Sequence, residues 1–274
     1  MKYFVTGGLF SVILAVVPAA QADVLYSTLP GLSVHDEPSM GYQATQTSEF
    51  GSMVQISASV ASLDRATVAL SNWAFESAFP EVGNSTGFSL PVTLNLYNIN
   101  AGDTVGSIIS SVTTNALITW RPEPSGGCDS NGYLADGNCY GGSISYVNFE
   151  FGGISIPQQF IWGLAFNTQN FGSSPYGTPG AYDALNIAIS SDPPTTGTNP
   201  NPDTAYWNTA DAGNYTDGGA GGVGTFRQDT GWTPFGSGAI QFEGAATPEP
   251  SSLILISLGL IGAGVLGRKT RKQR

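Results

Sequence analysis

The sequence predicts an all-β body, an antiparallel β-sandwich of jelly-roll type over residues 23–246. A signal peptide (1–22) precedes it and a single C-terminal transmembrane helix follows. Three observations predict this. In the body, short β-branched and aromatic runs are separated by Gly, Pro, Asn and Asp, and helix-period patterns are hard to find. Several runs alternate apolar and polar residues with a period of two, as a half-buried antiparallel sheet requires. The two uninterrupted apolar segments sit at the ends of the chain, outside that pattern.

At the N-terminus, Lys2 supplies a positive flank, Leu9–Val17 an apolar stretch, and Ala20-Gln21-Ala22 a small-residue cleavage site. Signal peptidase is therefore an expected partner, and the mature chain is expected to begin at Asp23. The reading is an exported protein.

The 225 residues from Asp23 to Thr247 suit one all-β domain. Strands are predicted near Ser52–Ser57, Ala66–Ala74, Phe88–Asn98, Ser107–Thr119, Ser143–Phe151, Gln159–Asn167, Ala184–Ser190 and Ala239–Glu243. Alternation is clearest in Val92, Leu94 and Leu96 against Thr93, Asn95 and Tyr97. It recurs in Val147, Phe149 and Phe151 against Asn148 and Glu150. Two such sheets packed face to face make a sandwich. The run SDPPTTGTNPNP, residues 191–202, reads as a long surface connection, and the chain after it is Gly-rich and aromatic.

Exported chains meet an oxidising compartment, so Cys128 and Cys139 are expected to form a disulfide around the turn-rich loop DSNGYLADGN. Closing a loop of that size contributes about 3 kcal/mol in the chain-entropy model. A redox or metal pair would need a third ligand cluster nearby, which the sequence lacks.

Without its ends the chain keeps three arginines, no lysine and nineteen carboxylates, a net charge near −16. Such a body repels nucleic acid and anionic membrane surfaces. It could attract Ca²⁺, the one cofactor the composition leaves open, although solubility is reason enough for the acidity.

Signals for chemistry are sparse. His35 is the only histidine, and without a G-x-S-x-G elbow it reads as a solvated loop residue rather than a triad base. One histidine and a disulfide leave too few ligands for zinc catalysis, so no metal site and no catalytic residue are assigned. Paired carboxylates could hydrolyse glycosides without histidine, and Glu76, Glu81 and Glu150 lie in or beside predicted strands. The glycines after Asp217 lack the Gly-Lys-Ser/Thr of a phosphate loop and read as a flexible turn. Asp129, Asn131, Asp136 and Asn138 offer oxygens for calcium, but at no EF-hand spacing. Of five tryptophans, Trp207 and Trp232 fall in the Gly-rich region among Asn and Asp. They are the candidate ligand-stacking residues, with sandwich-core filling as the competing role.

The tail, residues 247–274, has three parts. Pro248-Glu249-Pro250 stops any preceding strand. Residues 251–267 carry no charge and as a helix span about 25 Å, close to a bilayer core once flanking side chains snorkel. Arg268, Lys269, Arg271, Lys272 and Arg274 then hold the C-terminus on the cytoplasmic side. This order resembles the PEP-CTERM sorting signal of Gram-negative bacteria. The resemblance implies recognition and cleavage near the triplet by the membrane protease-transpeptidase exosortase. The Gly-rich stretch, the cysteine loop and FIWGLAFNT together resemble an uncharacterised group of secreted bacterial β-sandwich proteins that often carry this tail, and they bring no activity with them.

The expectation is a non-enzymatic protein sorted to the cell envelope, cell surface or extracellular matrix of a Gram-negative bacterium. Its role there would be structural or adhesive, with extracellular polysaccharide as the candidate partner. Two alternatives stand beside it: a secreted carbohydrate-active enzyme using paired carboxylates, and a periplasmic domain held in the inner membrane by an uncleaved tail.

Overall fold

A computed structural model describes residues 22–29, 35, 38–42, 47–129, 132–166, 181–209 and 226–246. In chain order its strands are β1 (Asp23–Ser27), β2 (Ser39–Gly41), β3 (Thr47–Asn72), β4 (Gly87–Asn100) and β5 (Thr104–Thr119), then β6 (Tyr133–Ala135), β7 (Asn138–Tyr140), β8 (Ser143–Phe166) and β9 (Leu185–Ser190), and finally β10 (Thr204–Thr209), β11 (Arg227–Thr230), β12 (Ser237–Gly238) and β13 (Ile240–Ala246). Eleven of them join one sheet whose main path runs β1-β13-β3-β8-β4-β5, and every ladder in it is antiparallel. The predicted signal peptide before Ala22 and the tail after Ala246 lie outside the described residues. Ala22 and Asp23 are described, and Asp23 opens β1.

Two strands carry the architecture. Straight, the 26 residues of β3 would reach about 85 Å, while a domain of this size has a radius of gyration of about 17 Å. β3 must bend, and its ladder with the 24-residue β8 shifts register between Gln55 and Val60 and again between Leu63 and Arg65. At the second shift Gly152 and Gly153 take φ of 67° and 85°, a bulge that glycine adopts without Cβ strain. Sequence reading expects strand breaks at these places. Instead Ser52–Ser57 and Ala66–Ala74 merge into β3, and Ser143–Phe151 and Gln159–Asn167 into β8.

The first half of β3 also pairs with β10, and its second half with β13 and β9. One face of this doubled-over sheet encloses a single core. It contains Phe50, Val54, Val68 and Leu70 from β3, Phe88 to Leu96 at alternate positions of β4, and Phe149, Trp162 and Leu164 from β8. That is a β-sandwich whose two layers share strands. Asn148 and Glu150 point outward as expected. Asn95 and Tyr97 do not: both are buried on the opposite face, under a second, smaller core.

The cysteine loop folds as expected. Cys128 and Cys139 form a disulfide with Cα atoms 5.5 Å apart, and Asp136 and Gly137, at φ 48° and 80°, make the tight turn between β6 and β7. Residues 191–202 are more than a surface connection. Thr195 and Thr196 exchange backbone hydrogen bonds with Ser27 of β1, and Thr198 exchanges two with Gln55 of β3.

Gly51 shows how tightly the long strands meet, because a Cβ there would lie 1.7 Å from the Trp162 carbonyl oxygen. Gly51→Ala is therefore expected to cost about 3 kcal/mol or more. Gly102→Ala, in open space at φ 73°, should cost only about 1–2 kcal/mol. Urea denaturation of the two variants checks this, and equal losses would contradict the tight approach.

Candidate functional site

Trp207 leaves β10 and Trp232 follows β11, and the pairing of those two strands brings them together. Their rings meet edge to face with centroids 5.7 Å apart, and Trp232 also packs against Phe50 at 5.4 Å. Each indole Nε1–H donates to the same oxygen, Oδ2 of Asp229, at 3.1 Å. Both rings are half-buried and rest on the rim of the main core. Core packing and a partly open aromatic edge thus occur in the same pair. Next to it, Asp203 accepts from Thr233 Oγ1 at 2.7 Å and from the backbone N–H groups of Thr233 and Gly231. Those hydrogen bonds hold its carboxyl below the usual carboxylate range.

A second aromatic surface has no counterpart in the sequence reading. Trp73 is 41 % exposed and Tyr146 45 %. Both project from the outer face of the β3–β8 ladder, where Ala69 opposes Tyr146 and Ser71 opposes Ile144. A Cβ at Gly141 would press on the Trp73 ring at 2.5 Å.

The remaining candidates are dispersed. Glu76, Glu81 and Glu150 are exposed. His35 is not a freely solvated loop residue. It stacks on Tyr140 at 4.7 Å, meets Tyr133 edge-on, and places Nε2 3.2 Å from Asp136 Oδ2. Asp136 is therefore engaged with His35. Asn131 and the glycines after Asp217 lie outside the described residues. Among the described residues no three His, Cys, Asp or Glu side chains are grouped to hold a metal ion.

Sequence reasoning missed the most perturbed acid. Glu49 of β3 is fully buried on the outer face of the sheet. Its Oε1 accepts from Asn95 Nδ2 at 2.8 Å and Tyr97 Oη at 2.7 Å, and its Oε2 has no partner among the described residues. Ser111 steadies Asn95 from β5 at 2.7 Å. Gly163 makes room, since a Cβ there would meet Oε1 at 2.4 Å. Burial, only partly offset by the Tyr97 and Asn95 bonds, pushes the Glu49 carboxyl up to about 7. The Tyr97 phenol moves up too, through burial first and the adjacent Glu49 charge second.

The sign of the linkage follows from a raised acid. Between 4.5, the unperturbed value, and about 7, the folded state keeps a proton that the unfolded chain has released. The stabilisation is complete below that window, is lost as pH rises through it, and levels off above. At 1.36 kcal/mol per unit the total is about 3 kcal/mol. Glu49→Gln is expected to flatten this part of the stability–pH curve. Thermal melts from pH 4 to pH 8 test it, and an unchanged slope would remove Glu49 as the cause.

Ala20, Pro248, Glu249, Pro250, Arg268, Lys269 and Arg271 lie outside the described residues, but the tail matches a known family model. Residues 246–272 match the model described as the PEP-CTERM protein-sorting motif. No curated protein and no solved structure matches the chain. The motif implies export, sorting to the bacterial envelope or surface, and processing by exosortase. The chain thus carries a PEP-CTERM sorting motif behind an antiparallel β-sandwich.

Proposed function

We propose that this protein is a non-enzymatic structural or adhesive component of the cell surface or extracellular matrix of a Gram-negative bacterium, holding polysaccharide through its Trp207–Trp232 edge. The observation that carries the reading is the ring pair pinned by one carboxylate on the rim of the core. Half-buried indoles held in one orientation lose little freedom when a sugar face stacks on them, and neighbouring Asp side chains can accept its hydroxyls. The net charge of the body favours neutral over acidic polymers.

The hydrolase alternative needs two carboxylates flanking a reachable bond. Glu49 has the raised pKa of a general acid, but it is fully buried, with Asn95 and Tyr97 on its oxygen. Binding without turnover fits that arrangement better.

Two measurements test this. Intact mass of the protein from its host, compared between inner-membrane and surface fractions, should show a species ending near Pro248 outside the inner membrane. A membrane species that retains Arg274 would instead make the tail a plain anchor. In affinity gels cast with neutral polysaccharides, Trp232→Ala should weaken retention about tenfold, the loss expected for one aromatic contact of about 1.4 kcal/mol. Retention unchanged in a folded variant would rule this edge out.

A further inference from the structure

We propose that the outer edge of β5 pairs, antiparallel and about a twofold axis, with β5 of a second copy of this chain. Among the described residues β5 pairs only with β4, so it ends the main path of the sheet. The other end of that path, β1, has five residues and is covered at Ser27 by Thr195 and Thr196. β5 has 16. A strand edge of that length offers a row of backbone donors and acceptors, which sheets block with charge, proline or a bulge. From Thr104 to Thr119 there is no charged residue and no proline. The register shifts lie between Val105 and Ser110, which leaves residues 110–118 regular and open.

The hydrogen-bond pattern says which groups face outward. Gly87 lies opposite Thr119, yet its N–H donates to Asn84. The Thr119 carbonyl accepts from Asn72 Nδ2 at 2.9 Å, and its N–H reaches Ser145 Oγ at 3.4 Å. Odd-numbered pairs are therefore the ones that do not bond across this ladder, and Pro91, opposite Asn115, has no N–H to give. Ser111, Thr113, Asn115 and Leu117 thus turn their N–H and C=O groups away from β4, where no backbone partner meets them among the described residues. A second β5 centred on Thr114 places Ser111 opposite Leu117 of the second copy, and Thr113 opposite its Asn115. Each such pair exchanges two bonds, so all four residues are satisfied at once.

Side chains and charge favour a copy of the same chain. Ile109 and Val112 pack on the main core but are only half-buried, so the core has an open rim along this edge. In the paired arrangement Val112 meets Ala116 of the second copy there, and Leu117, 50 % exposed, lies over its Ser111. The body carries nineteen carboxylates against three arginines, so two copies repel over most of their surface. The uncharged strip of β5 is where they approach at least cost. A basic partner would be drawn to the acidic faces instead. A ladder this short falls below the about 1,200 Å² of stable complexes, and sorting of every copy to one surface supplies the local concentration that populates it.

The test is sedimentation velocity of the protein purified from its host, from about 1 μM to about 1 mM, where a monomer–dimer equilibrium should appear. Asn115→Pro removes one outward N–H and no bond to β4, so the thermal melt should be kept while dimerisation weakens at least about tenfold. Thr114→Cys sets two thiols across the axis with Cα atoms about 4.5 Å apart, within disulfide reach. It should cross-link into a dimer when whole cells are oxidised. Ser107→Cys, exposed on the same strand outside the ladder, should not. If Asn115→Pro fails to fold, the cross-link decides alone. A monomer at every concentration overturns the pairing, as does a dimer that ignores Asn115→Pro and leaves Thr114→Cys uncross-linked. A series of species beyond the dimer overturns the twofold arrangement. Glycan binding at the tryptophan edge bears on none of these outcomes.

Discussion

The ladder between β3 and β8 is the constraint on which the other elements depend. It runs from Glu49–Ala165 to Asn72–Ser143, and along it the chain must bend because neither strand fits the domain straight. Each bend turns a stretch of sheet toward another and closes the space between them over one core. β4 attaches to the end of β8 and carries β5 on its other edge, β10 attaches to the start of β3, and β13 to its far half. The layers of this sandwich are therefore not independent sheets brought together by hydrophobic contact alone. Hydrogen bonds shared along two strands fix their relative position.

The outer face of the same ladder is not simply a solvent face. Near Glu49 it supports Met53, Tyr97, Ile161, Tyr206 and Phe226 as a second small core. An acid placed there exchanges water for two side-chain hydrogen bonds, and the exchange is incomplete because Oε2 is left alone. On the opposite face of the same stretch of β3, against Phe50, the tryptophans leave no such deficit, since both indole N–H groups share Asp229. The two polar clusters thus differ in kind: one is sealed and electrostatically unsatisfied, the other satisfied and partly open.

What could be read from the sequence was what local patterns encode. Val92, Leu94 and Leu96 announced the inner face of β4 by alternation, and Cys128 and Cys139 announced their bond by compartment and spacing. The tail was legible because its triplet, apolar span and basic end are contiguous. Gly152-Gly153, just past the predicted strand end at Phe151, proved to be a bulge within β8, a distinction that depends on the partner strand at Asp64. β10 was hidden in a Gly-rich stretch although Thr204, Tyr206 and Trp207 have strand propensity. Glu49, flanked by Ser48 and next to Phe50, gave no sign of burial. Its surroundings come from β4, β8 and β10, far away in sequence, and no window of residues contains them.

The register of the outermost ladder has a bearing on timing. Asp23 of β1 lies opposite Gly244 of β13, so nearly the whole described body separates two residues that must touch. The ladder between β1 and β13 thus closes only when both ends of the body are present, and its second strand ends at Ala246, where the sorting motif begins.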